Sequence, residues 1–323
     1  MLKKITLSLV LSFVLSTLSY ADEWIVRSLA NDGAGTLRDQ ISNAVSNPGA
    51  DTVIVDIKGQ IFLTSPIVIT DNDGLVIIGA TAKHTIISPE DGGFSGSELF
   101  DINGSGNVAV EAMRFEPSAG TSVQFILIRE YFSGVRIERC VFEGNDISGY
   151  GGAILILNPA SGAAPQVEIT SNSFVNNQAE YGGAVAVNGA GVDFTNNTFY
   201  FNRAIQTSSG GFGGAIYIES VATSGIEINH NTFTQNNYGG PGGNGEAIHA
   251  LSGPVTLRNN AGAGNGWFDQ FTGIFYLTSG GNKLLANYGG EPAPWSLPVV
   301  TDEMSLLVYP GLRPTIKEDG YGL

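Results

Sequence analysis

Four charged residues stand at one offset in this chain. Arg136, Glu168, Asp193 and Glu227 each follow an apolar residue (Val135, Val167, Val192 and Ile226), at intervals of 32, 25 and 34 residues. If the segments that carry them are parallel strands stacked side by side, the three carboxylates stand on consecutive rungs about 4.8 Å apart. One reading of such a file is chemical. Mutual repulsion raises carboxylate pKa values, so the column could hold Ca²⁺ or work as acid and base on a polysaccharide. The other reading is a solvated acidic face, partly relieved by Arg136 beside Glu168, that keeps the molecule soluble. Like charges directly opposite one another are destabilising, and the solvated face needs no further partner, so it is preferred. No catalytic residue is then assigned, and Ca²⁺ is the one cofactor the column would admit.

A second set of residues points to binding. Counting outward positions in the strands that follow each glycine pair gives Leu127, Leu155, Ala186, Tyr217, His249 and Phe275. An apolar stripe on an outer face calls for a cover or a partner. The C-terminal tail, through Trp295 or Leu297, or neighbouring loops would be the cover. A sugar or protein surface stacking on Tyr217, His249 and Phe275 would be the partner. Other motifs are weaker. His84 and His230 show no metal-ligand spacing, and no metal site is expected. Residues 240–245 match a dinucleotide-binding glycine pattern, but without the strand-to-helix transition that would aim it at a pyrophosphate. Asp71 to Gly74 reads as a turn that could alternatively ligate calcium. Cys140 reads as buried filler.

The elements that must position these side chains are written in a repeat. Residues 135–145, 167–177, 192–202 and 226–236 share the pattern apolar-x-apolar-x-x-Asn/Cys-x-Phe-x-x-Asn, and 255–265 keeps both asparagines with Gly262 in the phenylalanine place. A Gly-Gly-Ala turn and a short aliphatic run follow. The first apolar position of each unit falls at Leu75, Val108, Val135, Val167, Val192, Ile226 and Val255, at intervals of 33, 27, 32, 25, 34 and 29 residues. Such uneven periods fit coils with fixed strands and elastic loops. Apolar residues alternate in steps of two, the strand period, and each unit is too small to bury its own face. Stacking the units side by side makes an all-β solenoid, a parallel β-helix. It is expected to be right-handed from the crossover preference of parallel strands.

In that register Cys140, Asn172, Asn197, Asn231 and Asn260 fall at one corner, and Asn145, Asn177, Asn202, Asn236 and Asn265 at another, as hydrogen-bonded ladders. Phe115, Phe142, Phe174, Phe199 and Phe233 should stack inside. Gly151-Gly152-Ala153, Gly182-Gly183-Ala184 and Gly213-Gly214-Ala215 supply permissive turns, with Gly245-Glu246-Ala247 as the fourth. Ahead of the repeat, Thr36 should cap a helix carrying Leu37, Ile41, Ala44 and Val45 on one face. Strands are expected at 24–29, 52–57, 61–63 and 67–70.

Gly33, Gly35, Thr36, Leu37 and Arg38 resemble the opening of secreted bacterial β-helix proteins, in which this turn leads into a helix covering the first coil. Such a cap shields an otherwise open parallel edge. The pairing of Phe-x-x-Asn with Gly-Gly-Ala-Ile over 135–265 resembles the repeat of the chlamydial polymorphic outer membrane proteins, and the fold implied is pectate-lyase-like. That resemblance implies a surface or extracellular binding role. No counterpart of the C-terminal membrane barrel usual in those proteins is expected after Leu277. Residues 287–292 look like the closing piece of secreted β-helix proteins. The Asn-Thr-Asp, Gly-His-Gly and Arg-Ile-Lys pieces of the polygalacturonases do not occur.

Composition sets the frame. Lys3 and Lys4, the apolar run 5–18 and the small residues before Ala21 read as a secretory signal of residues 1–21, so the chain is expected to be secreted, periplasmic or on the cell surface. Residues 22–74 would form the cap and first strands, 75–277 the coils, and 278–323 a wrapping tail. No transmembrane segment is expected once the signal is removed. A formal net charge of -15 argues against nucleic acid, which demands a basic footprint. An extracellular polysaccharide or a surface protein is the expected partner, and a polysaccharide lyase or glycoside hydrolase using the acidic column is the alternative.

Overall fold

One left-handed residue bends the chain at each corner. Ala112, Arg139, Ser171, Asn196, His230 and Asn259 have φ between 53° and 58°, on successive coils. A single residue in this conformation turns a strand sharply without a loop, but it breaks the ladder of backbone hydrogen bonds. The next residue repairs the break. Asn197 Oδ1 accepts from the backbone N–H of Asn172 at 2.9 Å and from its Nδ2 at 3.1 Å, while Asn197 Nδ2 donates to the carbonyl of Ile169. Asn231 and Asn260 continue this pattern. The second corner repeats it through Asn177, Asn202, Asn236 and Asn265.

The computed structural model describes residues 21–71, 73–129, 134–157, 166–205, 211–238, 247–263, 265, 275–277, 283–285 and 288–289. Residues 1–20, the 240–245 glycine segment, Gly245-Glu246, Trp295 and Leu297 lie outside them, as does nearly all of the 278–323 tail. Within this range every strand pairing is parallel, and the chain winds as a right-handed β-solenoid. The fullest coil runs through one long face (Gln166–Thr170), a short face behind the first corner (Ser173–Val175), a two-residue face behind the second (Gln178–Ala179), and a return strand after the glycine pair, and the two-residue face recurs on three coils. The seven starting positions aligned from sequence are direct rung partners, from Leu75 through Val255.

Side-chain alternation then fills the interior. Phe115, Phe142, Phe174, Phe199 and Phe233 stack with centroids 4.8–5.0 Å apart and planes within 9°. Columns of Val, Ile and Leu line the long faces, almost all fully buried. The glycine pair has two causes. Gly151, Gly182 and Gly213 adopt φ of 63°, 68° and 67°. A Cβ on Gly183 would lie 2.2 Å from the Gly214 carbonyl oxygen and 2.5 Å from the Arg203 nitrogen, so backbone occupies the space a side chain would need.

The helix Leu37–Ser46 closes the N-terminal end. Thr36 is its N-cap and accepts from the Asp39 N–H, while Asp39 accepts from the Gly35 N–H. Leu37, Ile41 and Ala44 are buried, and Arg38 donates to the carbonyls of Ser65 and Pro66, tying the cap to the first coil. Among the described residues no helix is long and apolar enough to cross a membrane.

Candidate functional site

The register places the charged residues in one outward column. Arg136 pairs with Glu168, Glu168 with Asp193, Asp193 with Glu227, and Glu227 with Thr256. Val167, Ile169, Val192, Phe194, Ile226 and Ile228 point inward on the same strands and are buried, so alternation pushes the carboxylates outward. Glu168 and Glu227 are exposed and Asp193 is half-buried. A parallel column at Thr170, Thr195 and Asn229 flanks them, and Asn229 donates to Glu227.

One expected contact is replaced. Arg136 does not relieve Glu168: its guanidinium pairs with Glu111 on the preceding rung and reaches Glu138 at 3.7 Å. The reason lies one column over. Glu111 and Glu138 are direct rung partners, and Glu111 is buried. Two carboxylates so placed need cations, and Arg136 and Arg139 both bind the pair. Among the described residues no three His, Cys, Asp or Glu side chains converge as metal ligands. The carboxylates at 168, 193 and 227 form a file rather than a cage. Asp71 works as a turn residue, its Oδ1 accepting from the N–H groups of Asp73 and Gly74.

The apolar stripe is also differently arranged. Leu127, Leu155, Ala186, Tyr217 and His249 do share one column. The next rung, however, brings Tyr276 beside His249, and Phe275 pairs with Ile248, one residue out of the column. Tyr217 is 3% exposed and His249 1%, so neither offers an open surface. Their cover is a ladder that the sequence reading passed over: Tyr150, Tyr181 and Phe212, each directly before a glycine pair, are bridged rung to rung. Tyr150 and Tyr181 stack at 4.6 Å, Tyr181 lies 5.1 Å from Tyr217, and Phe212 meets His249 edge-on at 4.8 Å. The shared offset before Gly-Gly was the available signal.

The rings of this ladder stack face to face, Tyr150 on Tyr181 and Tyr181 on Phe212. Tyr150 is the most open member, at 37%. Burial, then the charge of Glu219, pushes the Tyr150 and Tyr217 phenols above their ordinary range. They therefore stay neutral hydrogen-bonding groups. Asn188 holds Glu219 in place at 2.8 Å.

A further polar cluster lies on the same outward column upstream, where extending the count one rung from Leu127 reaches Asp101. Arg129 forks onto both Asp101 oxygens at 2.8 and 3.0 Å and reaches Glu98 at 3.1 Å. Its hydrogen bond to Asp101 is the main cause raising the guanidinium above its usual pKa. Both carboxylates are buried, and Ser97 donates to Glu98. The triad saturates itself and pins neighbouring rungs together. Cys140 is buried, and desolvation pushes its thiol up to about 12 against backbone N–H groups of Met113 and Ala112. That leaves it inert as a nucleophile.

No family model matches the chain, and no curated protein matches it. Solved structures resemble it in fold. Pectin methylesterase from Yersinia enterocolitica is 11% identical with a TM-score of 0.42, over 84% of this chain and 98% of that one. Pectin methylesterase PemA from Erwinia chrysanthemi is 11% identical with a TM-score of 0.44, over 86% and 91%. A PL6 family alginate lyase is 13% identical with a TM-score of 0.37, over 83% and 40%. The chain's own rung pairing makes it a parallel β-solenoid, and these likenesses add nothing to that.

Proposed function

We propose that this chain is a secreted or cell-surface β-helix with a non-catalytic binding role toward an extracellular polysaccharide or a surface protein. The observation that carries this reading is that two outward files repeat one chemistry over three successive rungs. Carboxylates recur at 168, 193 and 227, and stacked aromatic rings at 150, 181 and 212. A reaction centre needs unlike groups converging on one point. A polymer or a repetitive surface is met by like groups at a fixed spacing, whose weak contacts add through multivalency. The signal-like residues 1–21 support export.

The carboxylate file also favours a second reading, a polysaccharide lyase or glycoside hydrolase in which Glu168, Asp193 and Glu227, directly or through Ca²⁺, act on the substrate. Arg136 would then have to leave Glu111. The test is to incubate the protein with uronic-acid and neutral polysaccharides, with and without Ca²⁺, and to follow new unsaturated or reducing ends alongside binding. Binding without turnover, weakened in Tyr150→Ala, is the expected result. Turnover that disappears in Asp193→Ala would overturn the binding reading in favour of the enzyme.

A further inference from the structure

At one corner the chain keeps a residue that folding alone does not favour. The position before the second ladder asparagine is left-handed on successive coils: Gly144, Asn176, Phe201 and Gln235 have φ of 76°, 53°, 57° and 55°. Glycine and asparagine suit this conformation, and a flexible glutamine can hold it with its side chain in water. A bulky aromatic is an outlier there. Phe201 gains little burial in exchange, being 51% exposed. Backbone strain without packing gain, on an exposed aromatic, points to contact with something outside the chain.

The surroundings say what that is. Tyr200, half-buried, precedes it, and the two rings stand 6.1 Å apart at 42°. They form an open V, so their faces are not consumed by one another as those of Tyr150 and Tyr181 are. Arg203 follows on the two-residue face, exposed, with no ion pair or side-chain hydrogen bond among the described residues. The rung neighbours of Tyr200 and Arg203 are Val175, Thr234, Gln178 and Asn237, and the equivalents of Phe201 are Asn176 and Gln235. All of these are neutral; the carboxylates of the same columns, Glu143 and Asp146, lie two rungs away, and Glu180 follows Gln178 by two residues. The chain's formal net charge of -15 is felt weakly here, because exposed charges beyond about 8 Å are screened at physiological salt.

We propose that Tyr200, Phe201 and Arg203 form a binding site for an acidic polysaccharide. A uronic acid unit would lay the C–H face of its ring on the aromatic pair and its carboxylate on the Arg203 guanidinium, whose planar fork matches a carboxylate with two parallel hydrogen bonds. The proposal rests on the binding reading above and gives it a ligand class and a place. A neutral polymer would engage the rings and leave the cation without its counter-charge.

The experiment is a binding titration of the full chain with polygalacturonate and alginate, with dextran as the neutral control, alongside thermal melts. Wild type is expected to bind the polyuronates and not dextran. Arg203→Gln and Phe201→Asn should each weaken binding about tenfold, and Arg203→Lys should recover only part of the loss. Phe201→Asn should melt at or above the wild-type temperature, since asparagine relieves the strain. Equal affinity for dextran would overturn the site. So would polyuronate binding that survives both variants and is lost in Tyr150→Ala, which would leave the broader binding reading standing. A lowered melting temperature in Phe201→Asn would assign Phe201 to packing and overturn its role as a contact. Failure to bind any polymer or surface protein would overturn the broader reading itself.

Discussion

Cys140 shows what a single position contributes. It sits where the repeat otherwise has asparagine, and its backbone N–H already donates to Asn172 Oδ1 at 2.8 Å. Its Sγ lies 3.6 Å from the Val110 carbonyl, the group an asparagine Nδ2 would reach. Cys140→Asn should therefore extend the ladder by one rung and stabilise the fold by about 1 kcal/mol, measured by denaturant unfolding. The same substitution removes a titration. The buried thiol has a folded pKa raised from 9.0 to about 12, so it contributes stability that is complete below pH 9 and is lost as the pH climbs through that window. Wild type should lose more stability between neutral and strongly alkaline pH than Cys140→Asn does. Equal losses would place the alkaline sensitivity elsewhere, in the buried tyrosines for example.

Among the elements, the corner carries more than the strand does. Strands of three to five residues are short for independent pairing, and the ladders hold them in register by satisfying the backbone that each left-handed residue would otherwise leave open. Asn197→Ala removes the acceptor for two donors of Asn172 and the donor to Ile169, all buried. Its cost should be about 3 kcal/mol or more, since unsatisfied buried groups cost about 1–3 kcal/mol each. A loss no larger than that of an exposed substitution such as Glu168→Ala would show that water replaces the asparagine there. Functionally, the corners set the angle between neighbouring faces, and so decide that Tyr200 and Arg203 flank Phe201 on two different sheets.

For the molecule as a whole, nearest-neighbour stacking makes the solenoid quasi-one-dimensional, with each coil supported by the ones above and below. The helix Leu37–Ser46 covers the first coil. On the outer face, Glu168, Asp193 and Glu227 stand on successive rungs and add to the chain's negative charge. With a sequence pI of about 4.5, self-association should rise as the pH falls toward that value and reverse on return to neutral pH, because the protection is charge repulsion. Light scattering across that range checks it. Scattering that is flat with pH would mean that something other than this charge keeps the molecules apart.

Coil register, the two asparagine corners, the phenylalanine stack and the glycine turns could all be read from residue order. Each follows from a local rule, alternation by two or a fixed offset from Phe-x-x-Asn, that survives any change in loop length. Residue order also placed Glu168, Asp193 and Glu227 in one column, for the same reason. Which side chains those columns meet depends on the folded arrangement of coils and turns. Arg136 turns to Glu111 because that carboxylate is buried and faces Glu138. Tyr217 and His249 disappear beneath Tyr150, Tyr181 and Phe212 because a turn folds back over the face. Phe275 leaves the stripe because its rung is shifted by one residue. Register is a property of the strand and can be counted; cover, charge pairing and exposure belong to what another coil or turn brings alongside, and no spacing along the chain encodes that distance.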